Sequence, residues 1–169
     1  MQLPKYKDRF GGNEKWYLEK MKLLDQKIQS FDCCLMSNSK WRRLFLAILE
    51  NKSIIKHCEI AEFAFKNNAT HWVNSMKLDD ENIKGAEFIF GDYIDEHFAG
   101  GHNPISYREI EYIEFRKIYF CRTSHPVHKL KHEDVRMEQD LELIKKILSN
   151  VGQFCWDETD QYKRILGYK

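Results

Sequence analysis

Tyr107-Arg108-Glu109-Ile110-Glu111-Tyr112-Ile113-Glu114-Phe115 reads as a strand, entered from the turn Gly100-Gly101-His102-Asn103-Pro104. Side chains two residues apart leave the same face of a sheet, so the pattern puts Glu109 and Glu111 together and Ile110 and Tyr112 opposite them. From Tyr112 onward both parities are apolar, Ile113, Phe115 and Tyr119 on one and Ile118 and Phe120 on the other. A strand of that kind is covered on both sides, which predicts one central strand over residues 107–121.

Residues 13–29 are predicted as a helix capped by Asn13, with Trp16, Leu23, Leu24 and Ile28 on a loosely amphipathic face. A short apolar segment, 31–36, leads to Ser37-Asn38-Ser39, whose oxygens suit a helix start. In the helix that follows, Trp41, Leu44, Phe45, Ile48 and Leu49 fall at i, i+3, i+4, i+7 and i+8, a single buried stripe, with Lys40, Arg42, Arg43 and Glu50 toward water. Residues 53–65, 70–76 and 87–94 read mainly as strands. The last two are expected to pair as a hairpin through the acidic turn at 78–85. Residues 132–148 are predicted as a helix with Val135, Leu141, Ile144, Ile147 and Leu148 as its stripe, stopped by Gly152. The closing stretch 154–168 reads either as a return strand or as a short docking segment. The fold class expected is α+β: a single domain over 1–169, with an antiparallel or mixed central sheet flanked by helices and residues 1–30 as an amino-terminal extension and helix.

Composition bounds the function. At 169 residues and 20.4 kDa, with 43% hydrophobic and 31% charged residues, the chain is long enough for one core. The balance of 27 Lys and Arg against 26 Asp and Glu leaves a net charge of +1 and no overall field for nucleic acid. Five cysteines without a C-x-x-C fit a reducing cytosol, and Cys33 and Cys34, in an apolar segment, read as inert packing residues. With no signal-peptide core and no membrane-length apolar run, the expected location is cytoplasmic.

No complete catalytic or phosphate-binding motif is present, and no cofactor is expected. His125, His128 and His132 have helical metal spacing, but Pro126 places the first outside any helix. Asp92, Asp95, His97 and His102 gather oxygen and imidazole ligands around the glycine turn, which leaves a small metal-dependent hydrolase or nuclease as one alternative. Lys40-Trp41-Arg42-Arg43 and His128-Lys129-Leu130-Lys131-His132 are basic clusters, the first holding an aromatic, and leave an RNA-binding accessory protein as another. If Trp41 is buried, no base can stack on it.

Asn38-Ser39-Lys40-Trp41-Arg42-Arg43-Leu44-Phe45, Pro104-Ile105-Ser106-Tyr107-Arg108-Glu109-Ile110-Glu111-Tyr112-Ile113-Glu114 and Ile165-Leu166-Gly167-Tyr168 resemble a family of small bacterial proteins. Its marks are a capped Lys-Trp helix, a Tyr-x-x-Ile-Glu-Trp-Ile-type strand and a Gly-Tyr terminus. This chain has Tyr112 in place of the Trp, and an additional amino-terminal helix. In size and style such proteins resemble the immunity proteins of bacterial polymorphic-toxin and contact-dependent growth inhibition systems. The resemblance implies an antitoxin without catalysis of its own, whose partner is a cognate toxin domain, for instance a nuclease. Immunity proteins often oppose acids to a basic toxin cleft, and the acids available for that here are Asp79, Asp80, Glu81, Asp92, Asp95, Glu96, Glu109 and Glu111.

Overall fold

Hydrogen bonds from polar side chains set where the helices begin. Asn13 Oδ1 accepts the Trp16 N–H and opens helix α1 (Glu14–Ile28). Ser37 Oγ accepts the Lys40 N–H and opens α2 (Asn38–Glu50). Asp140 accepts the N–H groups of Glu142 and Leu143, each at 3.0 Å, and opens α3 (Leu141–Ser149). Each cap satisfies donors that the first helical turn leaves without an internal partner. The computed structural model describes residues 5–10, 13–63, 71–78, 85–95, 103–124 and 132–169.

The main sheet contains β1 (His57–Phe63), β2 (His71–Lys77), β5 (Ile110–Arg116), β8 (Trp156–Glu158) and β9 (Tyr162–Leu166) in the order β2-β1-β5-β9-β8. Every neighbouring pair is antiparallel. Two smaller ladders join β3 (Tyr93–Ile94) to β4 (Ile105–Ser106), and β6 (Ile118–Ser124) to β7 (His132–Glu138). This is the α+β architecture expected, with β5 at the centre.

One sheet face builds the principal core. Cys58 and Ile60 of β1, Ile113 and Phe115 of β5 and Ile165 of β9 meet Trp41, Leu44, Phe45 and Ile48 of α2 and Leu141, Ile144 and Leu148 of α3, all buried. Phe45 lies between Trp41 and Tyr107, with ring centroids 6.1 and 5.8 Å away. Each large side chain removed from water in this way stabilises by about 1.5–3 kcal/mol. Phe63 and Tyr168 have the opposite parity and pack with Leu24 of α1. Helix α1 therefore covers one end of the second face, while α2 and α3 cover the first.

Four local expectations are corrected. The strand predicted over 107–121 is broken into a 3₁₀ turn, Tyr107–Glu109, then β5, then β6. Its opening turn is closed by Ser106 and Glu109 in a capping box, and its break falls at Lys117, whose N–H is taken by the Gln161 carbonyl. Gln139 locks that break by donating from Nε2 to the carbonyls of His57 and Arg116, both at 2.9 Å. Second, Glu109 and Glu111 do not share a strand face. Glu109 precedes the strand, and the register moves from Ala61↔Tyr112 to Glu62↔Ile110, leaving Glu111 as an extra, bulged residue. The bulge lets Ile110 and Ile113 both enter the core although their parities differ.

Third, residues 132–148 are not one helix. β7 pairs with β6 over seven residues, Val135 is exposed on it, and the Asp140 cap starts the helix at Leu141, nine residues later than expected. Fourth, residues 87–94 are not a strand paired with 70–76. Ala86–Phe88 is a 3₁₀ turn, β3 has two residues, and β2 takes β1 as its partner; 79–84, the expected turn, lie outside the described residues. The closing stretch resolves into two paired strands, β8 and β9.

Candidate functional site: the open half of the second sheet face

The acids singled out in the sequence divide into three groups. Asp79, Asp80, Glu81 and Glu96 lie outside the described residues, as do His97, His102, His125 and His128. Asp92, Asp95 and Glu109 come together, but around the chain's own amino-terminal segment. The Asp92 carboxylate accepts the Tyr6 N–H at 3.3 and 3.4 Å, buried Asp95 pairs with Arg9 at 3.4 Å, and buried Glu109 pairs with Lys20 at 2.5 Å. Glu111 is half-buried, and its carbonyl accepts the Gly167 N–H at 2.8 Å.

Other sequence candidates change character. Trp41 is buried against Phe45, so the basic cluster around it offers no ring for a base to stack on. Cys33 and Cys34 are exposed rather than packed inside; backbone bonds hold their segment to Gly167 and Lys169, and the Cys34 thiol donates to the Met36 carbonyl at 3.1 Å. Cys58 is the interior thiol, and burial pushes it up to about 12. Among the described residues no group of three His, Cys, Asp or Glu side chains is placed to hold a metal ion, and no helix is long and apolar enough to cross a membrane.

A constellation the sequence reading passed over lies on the second sheet face, beyond the end covered by α1. Strand periodicity brings Tyr112, Glu114 and Arg116 of β5 out beside Tyr162 and Arg164 of β9, Glu59 of β1 and Asp157 of β8. Glu114 is its foundation, with a side chain only 3% exposed. One carboxylate oxygen accepts Arg116 Nε at 2.6 Å and the other accepts Arg164 Nε. The Arg164 guanidinium lies over two rings, 4.3 Å from the Tyr162 centroid and 4.6 Å from that of Tyr112. Two rings and a doubly bound carboxylate fix that side chain more firmly than a surface ion pair does.

Glu59 stands directly across the ladder from Glu114, an arrangement of like charges that is unfavourable unless compensated. Arg116 compensates, with its Nε 3.2 Å from Glu59. Burial and the charge of Glu114 still outweigh that arginine and raise the Glu59 carboxyl above its ordinary value. Burial likewise raises Tyr112, with Arg164 opposing. Arg164 is raised in its turn: burial pulls it down, and its bond to Glu114 more than offsets the pull.

No protein-family model, curated protein or solved structure matches the chain. Its chemistry is therefore read from this geometry. Arginine and tyrosine, held rigid and partly exposed, are the residue types that anchor protein interfaces, because they bring large contact area and hydrogen bonds with little ordering left to do on binding. An open depression of about 760 Å³ beside α3 presents another acidic surface, but three of its four carboxylates are already engaged. Asp140 caps α3, Glu142 pairs with Lys163 at 2.8 Å and Glu138 with Arg136 at 2.7 Å.

Proposed function

We propose that this chain is an immunity protein: it binds a cognate bacterial toxin domain in the cytoplasm and blocks it, without catalysis of its own. The contact surface in this reading is the open sheet face formed by Tyr112, Arg116, Asp157, Tyr162 and Arg164. The observation that carries it is the Arg164 guanidinium held between two tyrosine rings above buried Glu114. A binding inhibitor needs a stiff, shaped surface, and this face is stiffened from below by a five-stranded antiparallel sheet. Asp92, Asp95 and Glu109 contribute indirectly: the first two hold the amino-terminal segment at Tyr6 and Arg9, and Glu109 fastens α1 through Lys20 at the neighbouring end of the same face.

Growth protection is the test. The carboxy-terminal domain of whatever protein is encoded immediately upstream of this gene is expressed in a sensitive bacterium with and without the protein. The reading predicts survival only with the protein present; killing that the protein leaves unchanged contradicts it.

A further inference from the structure

We infer that the open face takes carboxylate side chains of its protein partner, seated against Arg116 and Arg164. The inference rests on the inhibitor reading and adds the charge of the partner's contact, which is opposite to that of a basic nuclease cleft covered by acids. By formula the face looks acidic, since Glu59, Glu114 and Asp157 outnumber the two arginines. Exposure reverses this. The Glu114 and Glu59 side chains are 3% and 18% exposed, whereas Arg116 is 52% and Arg164 28% exposed. Glu59 and Glu114 lie low with the two cations above them, and Asp157 alone of the acids stands exposed beside Arg164.

The hydrogen bonds of both arginines to Glu114 run through Nε, and the Nη groups of Arg116 have no hydrogen-bond partner among the described residues. A guanidinium bound at Nε keeps a free edge of N–H donors whose fork matches a carboxylate. Asp157 is the one well-exposed acid of the group, 46% exposed and 3.5 Å from Arg164 Nη1, a loose contact that an incoming carboxylate can displace. The Tyr162 phenol, which reaches Asp157 at 3.5 Å, is a further donor at the position. Because Glu114 already orients both arginines, a partner carboxylate meets them without ordering two long side chains afresh.

The probes are hexaglutamate and hexalysine peptides and inorganic phosphate, each titrated into the whole protein at low salt and followed by backbone and arginine Nε–H NMR shifts. Hexaglutamate is expected to shift Tyr112, Arg116, Tyr162 and Arg164 saturably, and hexalysine to leave them in place. Phosphate at equal concentration is expected to act more weakly, because it cannot span both guanidinium edges. Removing an arginine alone strands the buried Glu114 charge and risks unfolding, so the test variant is the triple Glu114→Gln, Arg116→Gln, Arg164→Gln, which removes the buried carboxylate together with both its partners and is checked for folding by circular dichroism. It should weaken hexaglutamate binding about tenfold or more, and Asp157→Asn should strengthen it about threefold. The inference is overturned if hexalysine is the peptide that binds, if phosphate binds as tightly as hexaglutamate, if hexaglutamate does not bind, or if the folded triple variant binds it unchanged. Growth protection is scored separately: protection without hexaglutamate binding removes this inference and leaves the inhibitor reading, and binding without protection does the reverse.

Discussion

Gly167 is the residue at which the closing strand passes beneath α2, and no side chain fits there. A Cβ at this position would stand 2.5 Å from the Ile110 carbonyl oxygen and 3.1 Å from both the Glu111 oxygen and Trp41 Cζ2. Two of those neighbours are backbone and the third is a buried ring of the core, so none can yield. Gly167→Ala is expected to lower stability by about 1–3 kcal/mol, read from the urea midpoint; an unchanged midpoint would mean that the strand has room to shift. Glu59 is the residue whose ionisation works against folding. Its folded value is raised, so its contribution is fully present below the unfolded value of about 4.3 and lost as pH rises through the folded value. Glu158 has the opposite sense: its bonds to Lys145 and Lys163 lower it, and its contribution disappears as pH falls through that lowered value. Glu59→Gln is therefore expected to keep or raise the urea midpoint at pH 7 and to shrink the gain in stability on acidification toward pH 5. A midpoint that drops at pH 7 would show that the Arg116 pairing outweighs burial and Glu114.

Elements differ in how readable they are, and the reason is the distance over which each is determined. Helix α2 was legible because its stripe and its Ser37 cap lie within one contiguous segment. The start of α3 was misread because Val135 extended the apparent stripe backward, while the local signal that stops it, Asp140, was overlooked. The break at Lys117 had no local mark at all, since the groups that make it, Gln139 and the Gln161 carbonyl, arrive from 22 and 44 positions along the chain. The charged face was hidden for the same reason. Glu114 finds Arg164 across a separation of 50 residues, and only strand register brings them together. Helix α1 shows one role of Glu109. Lys20 secures it through Glu109 and Tyr6, the latter at 2.7 Å, and Arg108 adds an exposed pair with Asp25. Lys20→Met leaves Glu109 charged and buried without its cation, at a cost of about 3 kcal/mol, and should raise hydrogen exchange across α1. Exchange that rises equally throughout the protein would show that α1 is not a separable element.

For the molecule as a whole, net charge gives no hint of how its charges are arranged. At +1 the chain is nearly neutral, yet the open face places Glu59 and Glu114 low and Arg116 and Arg164 above them, with Asp157 exposed beside Arg164. A neutral protein with such a face gains little long-range steering and relies on fit, which suits a scaffold meeting one partner. The central claim, that the molecule acts by covering another protein through this face, is met most directly by titrating the purified protein into a toxin domain against which it protects growth, while following the toxin's activity. The account predicts loss of activity complete at one equivalent, and no loss with the folded Glu114→Gln, Arg116→Gln, Arg164→Gln variant. Activity that persists at many equivalents of the native protein, or inhibition equally strong with the variant, would contradict it.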